Sequence, residues 1–126
     1  MRTRFLAAIV IGILLLPAEA FAVEKLVAEL TLRSHLRAVV NLQIVKEKTD
    51  GPPIPVIISP RKCKKDRDVL VQRRTTKGWK TVGEIETNAQ GGGRTPLKDV
   101  QGTYRAKVKP GGLCGKLTSP SVLHRH

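Results

Sequence analysis

Two cysteines, Cys63 and Cys114, constrain this chain more than any other feature, because the segment between them also holds its single Trp79, its single Tyr104 and most of its turn-forming residues. The first residues of the chain indicate export, and compartments beyond the membrane are oxidising, so the pair predicts a disulfide. In the chain-entropy model, closing a loop of about 50 residues stabilises the folded state by about 4 kcal/mol. Such a bridge matters in a chain with 3% aromatic residues, whose core must be built from Val, Leu and Ile.

Two other roles are open to these cysteines. A reactive thiol at Cys63 would be activated as a thiolate by the charges of Lys62, Lys64 and Lys65, but it would have to stay reduced after export. A metal site would need a His or Cys at ligand-like spacing from either thiol, and the sequence supplies none. We therefore expect a disulfide, no metal site and no cofactor.

The first 22 residues have the anatomy of a cleaved secretory signal. Two arginines precede an apolar run that ends at a proline and is followed by small residues at alternate positions: Arg2, Arg4, 5–16, Pro17, Ala18, Ala20 and Ala22. The apolar run is too short to cross a bilayer as a helix, which takes about 20 residues. We expect cleavage after Ala22; cleavage after Ala20 and an uncleaved membrane anchor are the alternatives. Residues 23–126 then form one exported domain without a transmembrane span.

The segment between the cysteines alternates polar and apolar residues with the period of β-strands. Along an extended chain Val69, Val71 and Arg73 point one way, and their neighbours in 68–74 point the other. The run 79–87 is rich in aromatic and β-branched residues, so the two runs predict a hairpin closed at Gly78. Residues 88–93 are expected to form a loop. Beyond it the pattern predicts a short strand, a tight turn and a further clear strand, at 95–97, 99–102 and 104–108.

The segments outside the two cysteines predict additional strands. Apolar residues alternate in 25–33 and in 36–46, which we interpret as two strands joined by a short turn. A helix is the alternative there, because several of the leucines also fit a helical spacing and no Gly or Pro interrupts the run. A short strand at 56–59 is flanked by prolines, which suits the edge of a sheet. A last strand at 116–123 is expected to break at Pro120.

The chain has a formal charge of +13, and the excess is concentrated in 61–80. Nine basic residues lie in this segment: Arg61, Lys62, Lys64, Lys65, Arg67, Arg73, Arg74, Lys77 and Lys80. A field of this sign attracts polyanions at long range, and Trp79 is a candidate for stacking on a sugar ring or a base. The other interpretation is a solvated, charged surface that keeps an exported protein soluble, with Trp79 packed in the core.

Several short motifs in this region resemble a known group of domains. Cys63 is followed by RDVLVQRR, by KGWKTVGEIETN with a Gly-rich turn, by DVQGTYRAKVK, and by Cys114 and TSPSV. This order is similar to the small secreted immunoglobulin-like or transthyretin-like (carboxypeptidase-regulatory-like) β-sandwich domains of bacteria, which recur in exported and cell-surface proteins. The resemblance covers 63–122 and implies an antiparallel β-sandwich, a fold that carries many unrelated functions.

The run from Asp99 through Gly102 to Tyr104 is also similar to the tyrosine corner of immunoglobulin folds, in which a phenol bonds backbone across the loop that precedes its strand. The resemblance therefore implies a structural role for these three residues. Ala106 stands where an immunoglobulin domain carries its second cysteine, and Trp79 lies at the start of its strand. The sequence departs from antibody domains at both positions.

No pattern in the sequence indicates a catalytic site. His124 and His126 form a His-x-His pair that can chelate a metal, but a solvated tail is the favoured interpretation, and His35 lies at a strand junction. The glycines of 91–93 lack the Lys-Ser/Thr pair and the helix of a phosphate-binding loop. The paired carboxylates lie among Lys and Arg, which favours a salt-bridging surface over general acid–base chemistry. We therefore do not expect an enzyme.

Taken together, these patterns predict a secreted, single-domain, all-β protein of antiparallel sandwich type, extracellular, periplasmic or on the cell surface. We expect a non-catalytic binding module whose partner is an anionic cell-envelope polymer or another surface protein rather than a specific nucleic acid. The alternative is a structural or accessory subunit that pairs through an edge strand such as 56–59. The ligand, the oligomeric state and the strand order stay open on sequence grounds.

Overall fold

The computed structural model describes residues 22–34, 36–48 and 59–125, which form β-strands and a short 3-10 helix. The helix is Pro60–Cys63. The strands are β1 Ala22–Arg33, β2 Arg37–Lys48, β3 Asp68–Thr75, β4 Gly78–Glu86, β5 Gly92–Pro96, β6 Gly102–Val108, β7 Leu117–Thr118 and β8 Val122–His124. The prediction of an all-β fold is confirmed. Across the described ranges, no helix has the length and apolar character that a bilayer crossing requires.

The strands form two antiparallel sheets. The three-stranded sheet has the order β1-β2-β5, and the five-stranded sheet has the order β4-β3-β6, with β7 and β8 both paired to β6. β1 and β2 pair over their full length, from Ala22 opposite Lys48 to Arg33 opposite Arg37. The helical alternative for this region is therefore excluded.

Alternate residues of both sheets meet in a shared aliphatic core, a β-sandwich-like arrangement. In β1 the buried positions are Leu26, Ala28 and Leu30, the period of a strand. β2, β3 and β6 contribute in the same way, and one ring, that of Tyr104, joins them. The core consists of Leu26, Ala28, Leu30, Ala38, Val40, Leu42, Cys63, Val69, Val71, Ile85, Tyr104, Ala106 and Val108.

The predicted disulfide is present. Cys63 and Cys114 are bonded, with their Cα atoms 5.6 Å apart. The bridge ties the 3-10 helix to the segment that leads into β7, and Cys63 itself is buried in the core. It therefore links the chain just before β3 to the connection between β6 and β7.

The hairpin of β3 and β4 forms at the predicted place. Thr75 lies opposite Gly78, whose φ of +115° is a conformation that favours glycine. The register shifts between Val71 and Gln72, so that Val82 is an extra residue on β4, a β-bulge. This shift places Trp79 and Thr81 on the solvent side of the sheet.

The fifth strand is longer than expected and begins inside the predicted loop 88–93. After β4 the chain leaves the five-stranded sheet, and β5 pairs with β2 of the three-stranded sheet. The crossing brings backbones close together, because a Cβ atom on Gly93 would lie 2.3 Å from Ile85 Cγ2. The glycines that suggested a loop are therefore the residues that allow the strand to change sheets.

The C-terminal strand is broken at Pro120 into β7 and β8, as predicted. Two other expectations lie largely outside the described residues. These are the signal sequence 1–22, of which the structure describes only Ala22 at the start of β1, and the edge strand 56–59, of which it describes only Ser59.

Candidate functional site

The basic residues of 61–80 do not form one stripe. Lys62, Lys64, Lys65 and Lys77 lie on the 3-10 helix or in turns, and Arg74 points to solvent from the outer face of β3. Arg73 points the opposite way, toward the interior side of the same strand, and lies opposite Lys80 of β4. Arg61 is exposed but paired with Glu24, whereas Arg67 is buried. Tertiary structure thus divides a cluster that is continuous in sequence.

Arg67 is buried and serves the fold, with 4% of its surface exposed. Its Nη1 donates to the Cys63 carbonyl at 2.9 Å, and its Nη2 donates to the carbonyls of Lys109 at 2.9 Å and Gly115 at 2.6 Å. Burial lowers the pKa of this guanidinium. Arg67 therefore reinforces the region of the disulfide and is not available to an external polyanion.

Arg61 is held by an acidic residue of β1. Its Nε and Nη2 donate to the two carboxylate oxygens of Glu24, at 3.2 Å and 3.0 Å. This hydrogen bond lowers the pKa of Glu24 and raises that of Arg61. The pair is bidentate, the geometry in which an Arg–carboxylate contact is most specific, and it attaches the 3-10 helix to β1.

The one tryptophan lies on the outer face of the five-stranded sheet, half-exposed rather than in the core. The guanidinium carbon of Arg105, on β6, is 4.2 Å from the centre of the Trp79 ring, and that of Arg74 is 6.0 Å away. Arg105 Nε donates to Gln72 Oε1 at 2.9 Å, which orients its guanidinium over the ring. We call Gln72, Arg74, Trp79 and Arg105 the Trp79 cluster.

The cluster occupies one end of a face with polarised charge. Lys107 lies further along β6, next to Leu70 of β3. At the far end of the same face are three acidic residues, Asp68, Glu84 and Glu86, grouped around the start of β3. Anionic groups are therefore attracted to the Trp79 end and repelled from the other.

Arg105 and Lys107 complete this surface, although they lie far outside the basic segment 61–80. Their outward orientation could be read from the alternation of β6, where Tyr104, Ala106 and Val108 are buried. Their proximity to Trp79 could not, because it depends on β6 pairing with β3 on the side opposite β4.

The three residues of the suggested tyrosine corner meet around the loop before β6. The Tyr104 hydroxyl donates to the Val100 carbonyl at 2.5 Å. Asp99 Oδ1 lies 2.7 Å from His124 Nε2, and the ring of His124 meets that of Tyr104 edge-on. Gly102 has a φ of +152°, which a residue with a side chain rarely adopts. The loop is thereby anchored to β6 and β8.

Among the residues that the structure describes, no group of three His, Cys, Asp or Glu side chains is arranged to hold a metal ion.

The fold and the site define a small all-β protein of two antiparallel sheets and one disulfide, with a tryptophan-centred basic surface. Comparison with known proteins returned no matching family model, curated protein or solved structure.

Proposed function

We propose that this protein is an exported, non-catalytic binding module that holds an anionic polymer of the cell envelope on the Trp79 cluster. The observation that carries the proposal is the pair of guanidinium groups over one half-exposed indole ring. The disulfide suits an oxidising compartment, which is consistent with export.

The geometry favours a polyanion over a neutral partner. Arg105 uses Nε to reach Gln72, and within the described residues its two Nη groups have no hydrogen-bond partner. They are therefore pre-oriented donors for phosphate or carboxylate oxygens. The ring of Trp79 beneath them supports the Arg105 guanidinium through a cation–π contact.

Binding to immobilised polyphosphate and poly-L-glutamate, measured by biolayer interferometry over a range of salt concentrations, tests the proposal. Arg74→Glu and Arg105→Glu are each expected to weaken binding about tenfold and to lower the slope of log affinity against log salt by about 1. Arg94→Glu is the matched control, because the same charge change is made at an exposed arginine on the outer face of the other sheet.

Equal losses from Arg94→Glu and Arg74→Glu would contradict the proposal. Such a result would mean that the polymers respond to the net charge of +13 rather than to a located surface. Circular dichroism and the urea midpoint of each variant show whether the fold is retained.

One observation favours the second candidate function, a subunit that pairs through a sheet edge. β1 is 12 residues long, and within the described residues its only paired neighbour is β2. Its other edge borders a groove of about 480 Å³ whose wall includes Leu26, Ala28 and Leu117. A partner strand on β1 would bind through backbone hydrogen bonds, and its affinity would change little with salt, unlike polyanion binding.

A further inference from the structure

A cavity of about 330 Å³ lies on the interior side of β3 and β4, whereas the Trp79 cluster lies on the outer face of the same sheet. It is formed by β3, β4, the start of β6 and the loop 97–101. Its lining consists of Arg73, Lys80, Thr81, Val82, Leu97, Lys98, Val100 and Tyr104. The volume is at the small end of the range for ligand sites, about 300–1,000 Å³.

The lining combines three cations with an apolar wall. Arg73 comes from β3, Lys80 from β4 and Lys98 from the loop, and no acidic residue is part of the lining. Within the described ranges, none of these three side chains forms an ion pair or a side-chain hydrogen bond. All three residues line the same cavity, so an anion bound there lies near positive charge from three different elements.

The wall of the cavity is fixed before any ligand arrives. The Leu97 N–H donates to the carbonyl of Leu36, in the turn between β1 and β2, at 2.9 Å. The Tyr104 hydroxyl donates to the carbonyl of Val100. Asp99, between them, contacts His124 of β8. A loop held at three points loses little conformational entropy when a ligand binds.

Glycine at position 102 also shapes the site. A Cβ atom at Gly102 would lie 3.3 Å from both Cγ and Cδ of Arg73, so the missing side chain lets the Arg73 stem lie across the β6 backbone. Arg73 thus lines the cavity beside Tyr104, its cross-strand neighbour.

We propose that this cavity binds a small amphipathic carboxylate. The planar fork of Arg73 matches a carboxylate in a bidentate arrangement, and the ammonium groups of Lys80 and Lys98 add positive charge at the mouth. The apolar part of the ligand packs against Val82, Leu97 and Val100. This site is separate from the Trp79 cluster and does not rest on the proposed polymer binding.

Titration with hexanoate, followed through the amide NMR signals of Val82, Leu97 and Val100, tests the proposal. Saturable shifts are expected, with a dissociation constant of about 1 mM or below. Arg73→Gln and Lys80→Gln should each raise that constant about tenfold, the effect of one charge-assisted hydrogen bond. Arg94→Gln removes one positive charge from the outer face of the other sheet and should leave hexanoate binding unchanged.

A second variant separates the cavity from the charges. Val100→Phe keeps all three cations and fills the apolar part of the cavity, so it should abolish the saturable shifts caused by hexanoate. In the original protein, hexan-1-ol and inorganic phosphate are expected to cause no saturable shifts. The proposal is overturned if hexan-1-ol binds as well as hexanoate, if phosphate alone saturates the same amides, or if the Arg73 and Val100 variants bind like the original protein. NMR spectra of each variant establish that it is folded.

Discussion

Replacing Arg67 with methionine removes a buried guanidinium from the region where the chain enters and leaves the disulfide. Its Nη atoms donate to three carbonyls, those of Cys63, Lys109 and Gly115, at 2.9, 2.9 and 2.6 Å. These contacts join the 3-10 helix to the segments before and after Cys114. Arg67→Met keeps an extended apolar side chain but loses all three hydrogen bonds.

The expected cost is about 3 kcal/mol of unfolding free energy. Hydrogen bonds from a charged donor contribute about 1.5–3 kcal/mol each, or roughly 4–9 kcal/mol for three. Against this stands the desolvation of a cation, which costs several kcal/mol, and the buried Nε of Arg67, which has no partner within the described residues. Methionine removes both costs, so the net loss is smaller than the sum of the three hydrogen bonds.

Urea unfolding followed by the fluorescence of Trp79, the only tryptophan, measures the effect. With an m-value of about 1.5 kcal/mol/M, the midpoint of Arg67→Met should fall by about 2 M. Lys62→Met, an exposed cation of the 3-10 helix, should change the unfolding free energy by less than about 0.5 kcal/mol. A loss below about 1 kcal/mol for Arg67→Met would refute the reasoning, because the three hydrogen bonds would then not outweigh the cost of burying the cation.

Two further predictions concern the sheet crossing and the ion pair. Gly93→Ala places a Cβ atom 2.3 Å from Ile85 Cγ2, and this overpacking should lower the unfolding free energy by about 2 kcal/mol in the same urea assay. Gly115→Ala is the control, because a Cβ atom there meets open space, and it should have little effect on the unfolding free energy. Equal losses from the two variants would contradict the close approach at Gly93. The pKa of Glu24 is lowered by its hydrogen bond from Arg61, so NMR titration of Arg61→Gln should show that pKa rising toward its ordinary value. Because the pKa of Glu24 is lower in the folded state, the pair stabilises the fold at pH values above the unfolded pKa. This contribution is lost as the pH falls through the folded pKa of Glu24. An unchanged Glu24 titration in Arg61→Gln would contradict the prediction.

Much of the fold could be predicted because strand alternation is a local property. The alternation of Leu26, Ala28 and Leu30 predicts the buried face of β1, whichever residues they pack against. Val69 and Val71 predict the buried face of β3 in the same way. The disulfide followed from the number of cysteines and the expected compartment. The start of β5 was not predictable, because the glycines of 91–93 are typical of a loop and their use in a sheet crossing depends on the approach of β4.

The candidate sites were less predictable, since charge along a sequence does not indicate which side chains share a surface. Arg67 and Arg74 occur in the same basic segment, yet one is buried under backbone carbonyls and the other lies beside Trp79. Arg105 and Lys98 lie far outside that segment and are nevertheless part of the two sites. Which strands become neighbours in a sheet cannot be predicted from the local sequence pattern, and this pairing decides which charged side chains share a surface.

The sequence by itself determined that this chain is made of strands, that its interior is aliphatic and that its cysteines pair, because period-two alternation, residue volume and thiol chemistry act over short distances or through composition. The tertiary structure decided where the positive charge is used. Pairing of β6 with β3 brings Arg105 over Trp79, and anchoring of the loop 97–101 brings Lys98 toward Arg73. Both depend on contacts between residues distant in sequence, which only the folded chain specifies.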